Sequence, residues 1–392
     1  MIKKKKLIIL GSTGSIGENT IKVVEHLNNE FEIVGLAAGK NVSRLIQQVL
    51  FLKSPRVAIA DESHFQTLKN NTPDSCKVFA GIQGINDMIT DAEEADIVLC
   101  AIIGAPSLLP VITAIKTGKD VAVASKEALV MAGHIVMNLA KKHNVRILPV
   151  DSEHSAVFQC IAGHDKKDLK RIVLTASGGA FRDKSLNYMK TATLKDALSH
   201  PTWDMGPKIT IDSATMMNKA LEIVEAHWLF DIPGKNIEVL IHHQSIIHSM
   251  VEFLDGTLLA QMGTPDMRFP IQYALTYPAK HPASIESLDF SKISKLTFEI
   301  PDSKRFPALN FAYEALNIAG TMPTVMNAAN EVAVEHFKQG KITFTDIWKI
   351  IEKTMSSHKT LDRPNLDAIL NADKEARNTA SALIINNNIT GF

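Results

Sequence analysis

Over residues 1–150 the chain alternates short, continuous apolar runs with longer amphipathic stretches. The runs are LIIL (7–10), EIVGLAA (32–38), RVAIA (56–60), DIVLCAI (96–102), DVAVAS (120–125) and RILPV (146–150). A short apolar run with no polar alternation reads as a strand buried on both faces. The stretches between the runs are long enough for helices. The pattern therefore predicts βαβ units and a doubly wound, Rossmann-like parallel sheet, an α/β domain over residues 1–150.

From residue 151 the periodicity changes. LKRIVLTASGGAF reads as a strand running into a glycine turn, and IEVLIHHQSIIHSMVEFLDGTLLAQM as long strands with a hairpin turn at Asp255–Gly256. Between them ATMMNKALEIVEAHWLF places Met217, Leu221, Val224 and Trp228 on one helical stripe, with Asn218 and Glu222 on the opposite, polar face. Residues 151–276 thus read as an α+β middle domain. Residues 277–302 hold several prolines and little periodicity, and read as a connector. ALNFAYEALNIA, NAANEVAVEHF and IWKIIEKTM then predict a small helical domain over 303–392.

Composition adds exclusions. Lys and Arg balance Asp and Glu at 42 each, so no global field draws in nucleic acid. Three cysteines with no CxxC spacing argue against a disulfide framework or a cysteine zinc site, and fit a reducing, cytoplasmic compartment. In MIKKKKLIIL the apolar run is too short for a signal peptide, leaving an exposed basic tip before a first strand. The uncharged stretch 97–115 is interrupted by Gly104, Pro106 and Pro110, so a strand, loop and helix are expected there rather than a membrane span.

Candidate chemistry begins at GSTGSIG, Gly11–Gly17, directly after LIIL. A strand, a glycine turn and a helix N-terminus can cradle a pyrophosphate through backbone N–H groups and the helix dipole. Gly14 and Gly17 fit the second and third glycines of the GxGxxG fingerprint, while Ser12 occupies the first position. At the end of the second strand an NAD site carries a carboxylate; here the stretch 37–44 has none and carries Lys40, Asn41 and Arg44. Cations and an Asn suit a 2′-phosphate, which predicts NADPH over NADH.

PVDSEHSAV, 149–157, admits two readings. On extended chain Asp151 and Glu153 project the same way from a strand's C-terminal end. Alternatively Asp151 or Ser152 caps a helix whose first turn holds Glu153. In IDSATMMNKALE, Ser213, Asn218 and Lys219 suggest a phosphate cradle, with Ser213 near a helix start, and Glu222 lies one turn on. Asp151, Glu153 and Glu222 together make an all-oxygen site suited to Mg²⁺ or Mn²⁺. The bland reading of 218–222 is a solvated helix face. Ser177 with Gly178–Gly179 offers a small-residue turn for a phosphate. Trp203, in HPTWDMG, is a packed anchor or a closing lid. His242, Gln244 and His248 share one face of an expected strand, a poor spacing for a metal, so structural histidines are expected. Ser152–His154 lacks any nucleophile-elbow context.

GSTGSIG, AAGKN, ASKEALV, VDSEHSA, ASGGAFR, HPTWDMG, IDSATMMNKALE, HHQSIIHSMV, GTPDMRFPIQYAL and NAANEVAV, in this order, resemble the 1-deoxy-D-xylulose 5-phosphate reductoisomerase family from about Gly11 to Glu335. VDSEHSA with SATMMNK is the specific part; GSTGSIG is not. The resemblance implies NADPH- and Mn²⁺- or Mg²⁺-dependent conversion of 1-deoxy-D-xylulose 5-phosphate to 2-C-methyl-D-erythritol 4-phosphate, in isoprenoid precursor synthesis, by a homodimer. It implies metal ligation by Asp151, Glu153 and Glu222, and a substrate phosphate held by Ser177, Ser213, Asn218 and Lys219. Ser152, Lys126 and His200 would contact the substrate, and Trp203 would belong to a mobile loop, about residues 177–206 of a catalytic domain over 151–276, that closes over it. Thr13, Gly14, Ser15, Ile16, Gly39, Lys40, Asn41, Ser125, Glu127 and Gly206 would bind NADPH. Ser125 stands where the family usually has Asn, and His243 where it usually has Pro. Two other functions share these features: a different NADPH-dependent reductase of a phosphorylated carbonyl compound, and a non-catalytic dinucleotide sensor, for which no DNA-binding motif is present.

Overall fold

In the computed structural model, which describes residues 4–27 and 29–386, the chain divides into two compact units. The first comprises the residues up to 128, then 136–155 and 266–286; the second comprises 129–135, 156–265 and 287 onward.

The first unit is built on seven strands: β1 (Lys5–Leu10), β2 (Phe31–Ala38), β3 (Arg56–Ile59), β4 (Lys77–Ala80), β5 (Ile97–Cys100), β6 (Asp120–Val123) and β7 (Ile147–Pro149). They lie in the order β4-β3-β2-β1-β5-β6-β7, and every pairing is parallel. Leu7 to Leu10 are wholly buried at the centre, where Ile9 is registered against both Leu36 and Leu99. This is the Rossmann-like sheet the apolar runs predict, and the strand order reverses between β1 and β5, where such sheets bind ligands. β4 is an addition. Its sequence KVFA carries a lysine and lies only half-buried on the sheet edge, so no continuous apolar run marks it. The uncharged segment resolves as β5, a turn and helix Leu108–Lys116. No helix among the described residues is long and apolar enough to cross a membrane. Of the basic tip, residues 1–3 lie outside the described residues; Lys5 and Lys6 belong to β1.

The second unit holds a four-stranded mixed sheet of β8 (Leu169–Ala176), β9 (Ile237–Ile241), β10 (Ile247–Phe253) and β11 (Leu258–Met262), in the order β11-β10-β8-β9. β10 and β11 form the expected antiparallel hairpin around Asp255–Gly256, whereas β8 and β9 pair in parallel. The strand expected through IHHQSIIHSM is broken. Residues 242–246 leave the sheet in a turn with Ser245 at φ +51°, so alternation does not place His242 and His248 on a common face. His242 is structural: its Nδ1 pairs with the Thr297 carbonyl, and its ring stacks on Phe298.

Helix Met217–Phe230 is buried nearly all round, including Lys219, Glu222 and Glu225. The expected contrast between an apolar stripe and a wet face is absent, so the solvated-face reading of 218–222 is wrong. Helices Ala308–Ile318, Met322–Lys338, Asp346–Ser357 and Leu366–Ile385 belong to the same unit, and the last lies beyond any segment the periodicity marked. Phe344 packs edge-on against Phe181, with ring centroids 4.6 Å apart, and also meets Phe337 and Trp348. These aromatics anchor the turn after β8 to the helices.

Candidate active site

At the end of β1, Gly11 adopts φ +82°, and a Cβ there would stand 2.5 Å from the Ala101 carbonyl oxygen. Gly17 packs so tightly that a Cβ would overlap the Gly11 carbonyl and the Ser12 backbone. That is the helix-to-strand approach the third fingerprint glycine provides. Gly14 is the N-cap of helix Ser15–His26, and no side chain caps its first turn. Amide donors and the positive dipole end therefore suit a pyrophosphate at Thr13–Ile16. After β2, Gly39 and Lys40 are exposed, and Asn41 caps helix Val42–Leu52 by accepting the Arg44 N–H at 3.2 Å. Arg44 departs from the expectation of a second available cation. Its Nε and Nη2 donate to Glu18 at 2.6 and 2.8 Å, and this pairing holds the Glu18 carboxyl below its usual range.

Beyond β6, Ser125, Lys126 and Glu127 are all buried. The Ser125 hydroxyl donates to the Cys100 carbonyl at 3.2 Å. Lys126 Nζ donates to Asp151 Oδ2 at 2.7 Å, in a pair only 6% and 11% exposed. Asp151 Oδ1 accepts the Glu153 N–H at 3.2 Å, and its carbonyl accepts the Ser155 N–H at 2.8 Å. The chain is thus already helical from Ser152, and strand alternation is not what places the two carboxylates. They sit at the N-terminus of helix Ser152–Cys160, whose dipole favours both charges. Ser152 Oγ donates to Glu153 Oε2 at 2.5 Å. Capping and metal ligation are therefore compatible uses of Asp151: one oxygen caps, and the other faces a cation.

In the second unit, β8 delivers Ser177 into a turn with Gly178 at φ +82° and Gly179 at φ +65°. A Cβ on Gly179 would stand 2.5 Å from the Ser213 carbonyl. The close backbone approach expected here is thus made to helix Pro207–Thr215, which carries Ser213 in its last turn and not at a helix start. Met216, at φ +63°, breaks the chain before helix Met217–Phe230. There Asn218 Nδ2 and Lys219 Nζ donate to opposite oxygens of Glu222, each at 2.5 Å, and Lys219 and Glu222 are almost fully buried. His200 Nε2 lies 2.9 Å from Ser177 Oγ. Because Nδ1 accepts the N–H groups of Thr202 and Trp203 at 3.1 and 2.9 Å, the proton sits on Nε2 and is donated to Ser177. Burial, aided by the Arg182 guanidinium, pushes this imidazole down to about 4, so it is neutral near pH 7. Trp203 is half-buried, its ring 6.4 Å from that of His248, and exposed Gly206 caps the next helix.

ASGGAFR and IDSATMMNKALE each hold a further residue of the site that the motif's own spacing does not mark, Arg182 and Asp212. Arg182 closes the glycine turn by donating to the Ser177 carbonyl at 3.2 Å. Asp212, buried, pairs with Lys208 at 2.6 Å and accepts from Asn330 at 3.0 Å, so it fixes the helix that carries Ser213. The i, i+4 spacing of Lys208 and Asp212 was the available signal.

Three family models match the chain: 1-deoxy-D-xylulose 5-phosphate reductoisomerase over residues 7–133, the C-terminal domain of the same enzyme over 147–230, and a DXP reductoisomerase C-terminal domain over 262–379. The 1-deoxy-D-xylulose 5-phosphate reductoisomerase of Pelodictyon phaeoclathratiforme is 51% identical over 97% of this chain and 100% of its own length. That of Thermoanaerobacter pseudethanolicus is 50% identical over 95% and 97%. A solved reductoisomerase of Zymomonas mobilis in complex with NADPH matches with TM-score 0.91 and 43% identity, over 97% of this chain and 99% of that one. A DOX-P reductoisomerase in complex with NADPH, fosmidomycin and magnesium matches with TM-score 0.91 and 37% identity, over 97% and 98%. The chain belongs to the 1-deoxy-D-xylulose 5-phosphate reductoisomerase family.

Proposed function

We propose that this chain converts 1-deoxy-D-xylulose 5-phosphate to 2-C-methyl-D-erythritol 4-phosphate with NADPH and Mn²⁺ or Mg²⁺. The observation that carries the reading is the wholly buried Glu222, bonded to Lys219 and Asn218 inside a helix whose neighbours are apolar. A wholly buried carboxylate beside a buried ammonium marks a candidate binding site. The ligand set is Asp151, Glu153 and Glu222. Its donors are all carboxylate oxygens, the hard set that fits Mg²⁺ or Mn²⁺ and not a thiolate metal. The uncapped, closely packed glycine turn fits NADPH.

When bound, the metal supplies Lewis-acid stabilisation of enolate charge during rearrangement of the carbon skeleton, and NADPH supplies the hydride. The chain's own residues bind, orient and exclude water. Ser177, Ser213, Asn218 and Lys219 hold the phosphate, so binding energy remote from the reacting carbons is available for positioning them. Lys126, whose ammonium pairs with Asp151, and Ser152 contact the substrate's oxygens. Neutral His200 donates its Nε2 proton to the substrate in place of Ser177. Trp203, in the loop between His200 and Gly206, shields an aldehyde intermediate from water. Thr13–Ile16, Gly39–Asn41, Ser125, Glu127 and Gly206 hold the cofactor. The enzyme works as a homodimer in the cytoplasm and binds fosmidomycin as its relative does.

The test is NADPH oxidation with 1-deoxy-D-xylulose 5-phosphate and Mn²⁺, repeated with EDTA. Oxidation that EDTA abolishes and added Mn²⁺ or Mg²⁺ restores is expected. Folded, NADPH-binding protein that oxidises nothing would overturn the substrate assignment.

A further inference from the structure

Ser12 interrupts the dinucleotide fingerprint, and the structure gives the interruption a use. The tight turn is taken one residue earlier by Gly11, at φ +82°. The Gly11 and Ser12 N–H groups both donate to the Ala37 carbonyl at 2.8 Å, tying the turn to β2. Residue 12 is thereby free to carry a side chain, and that side chain is wholly buried. Its Oγ donates to Gln48 Oε1 at 2.7 Å, and Gln48 Nε2 donates back to the Ser12 carbonyl at 2.9 Å. The same Nε2 donates to Glu18 Oε1 at 2.9 Å, and Glu18 in turn holds Arg44 by two bonds. Arg44 Nη1 is engaged by Gln47 at 3.0 Å.

We propose that Gln48, with Ser12, Glu18 and Arg44, is a positioning relay that fixes the pyrophosphate turn, and that Arg44 serves the relay and does not read the 2′-phosphate. The inference rests on the NADPH reading above. Gln48 is 3% exposed, and its amide makes a reciprocal two-point contact with one residue of the turn, a geometry only an amide side chain of this length supplies. The relay joins three chain segments: the end of β1, the first turn of helix Ser15–His26 through Glu18, and the first two turns of helix Val42–Leu52 through Arg44 and Gln48. The N-terminus of the first helix meets the pyrophosphate, and Lys40 and Asn41 at the start of the second are left to meet the 2′-phosphate. Holding these two ends at a fixed separation preorganises the site, so less ordering is required when the cofactor arrives. Arg44 spends its planar fork on Glu18 in a bidentate pair, the arrangement it would otherwise offer a phosphate.

The experiment measures cofactor dissociation constants by fluorescence titration of the full chain, without substrate, for wild type, Gln48→Met, Ser12→Ala, Arg44→Ala and Lys40→Ala. The relay acts on the part common to both cofactors. Gln48→Met should therefore weaken NADPH and NADH by the same factor, on the order of tenfold, and Ser12→Ala should do so by a smaller shared factor. Arg44→Ala should also affect both equally, whereas Lys40→Ala should weaken NADPH far more than NADH. Ser12→Ala and Gln48→Met should be non-additive in a double-mutant cycle, and if Gln48→Met loosens the fold the milder Ser12→Ala carries the test alone. Ser12→Ala that binds both cofactors as wild type does would overturn the relay. Arg44→Ala selective for NADPH would overturn the role given to Arg44. Wild-type chain that binds neither cofactor would sink the NADPH reading first and the relay with it, a distinguishable result.

Discussion

Glu222 and His200 show how burial sets chemistry one side chain at a time. Glu222 is 0% exposed and shares its charge with Lys219, which is 4% exposed at the side chain. Removing one partner of a buried pair leaves the other uncompensated, at a cost of about 3–5 kcal/mol. Glu222→Gln should accordingly lower stability in urea by about that amount in metal-free protein. It should also weaken Mn²⁺ binding and reduce turnover by orders of magnitude. A variant of near-normal turnover would refute the ligand assignment. His200 carries a different prediction. Its imidazole is pushed from an ordinary 6.5 down to about 4, chiefly by burial. As pH falls through 6.5 the unfolded chain takes up this proton first. The folded state therefore loses stability between about pH 6.5 and 4, and His200 contributes no pH dependence above that window. Histidine NMR should show Nδ1 unprotonated and Nε2 protonated down to about pH 5; titration near 6.5 would contradict the buried geometry in which Nδ1 accepts two backbone N–H groups.

At the scale of elements, the turn after β8 is the sharpest constraint. Gly179 combines φ +65° with a Cβ position 2.5 Å from the Ser213 carbonyl, so any side chain both strains the turn and displaces the helix bearing Ser213. Gly179→Ala should destabilise by about 2–3 kcal/mol and raise KM for the sugar phosphate more than it lowers kcat. An unchanged KM would separate the turn from phosphate binding. The same region shows what the sequence made legible. Buried parallel strands announce themselves as unbroken apolar runs, and so six of the seven strands of the first sheet were found, while β4, with a lysine and one wet edge, was not. Alternation misled wherever the chain was not extended. Residues 242–246 turn out of the sheet, and Asp151 already caps a helix. Local spacing cannot show burial from the far side either. The Asn218–Glu222 face looks solvated on a helical wheel, yet Lys219 and Glu222 on it are buried. Gln48 lay in a stretch with no motif, and only its distant partner Ser12 gives it meaning.

For the whole molecule, the division into two units locates what each ligand stabilises. The residues assigned to NADPH fall in the first unit, with the single exception of Gly206, whereas Ser177, Ser213, Asn218 and Lys219 fall in the second. A ligand that binds only the folded form stabilises what it touches, by about 2.7 kcal/mol at a hundred times its dissociation constant. With NADPH alone, amide exchange should slow most at the ends of β1, β2 and β6 and at the start of helix Ser15–His26. Exchange in β8 and β10 should change much less. Adding Mn²⁺ and a phosphonate such as fosmidomycin should then extend protection to the turn after β8, to residues 200–206 and to the start of helix Met217–Phe230. If NADPH alone protected β10 as strongly as β1, the cofactor would act on the fold as one cooperative body. The separate assignment of cofactor and phosphate contacts to the two units would then fail. If protection appears in two stages, chemistry that needs an aldehyde kept from water is matched to a chain that gathers its cofactor first and orders its substrate-facing residues second.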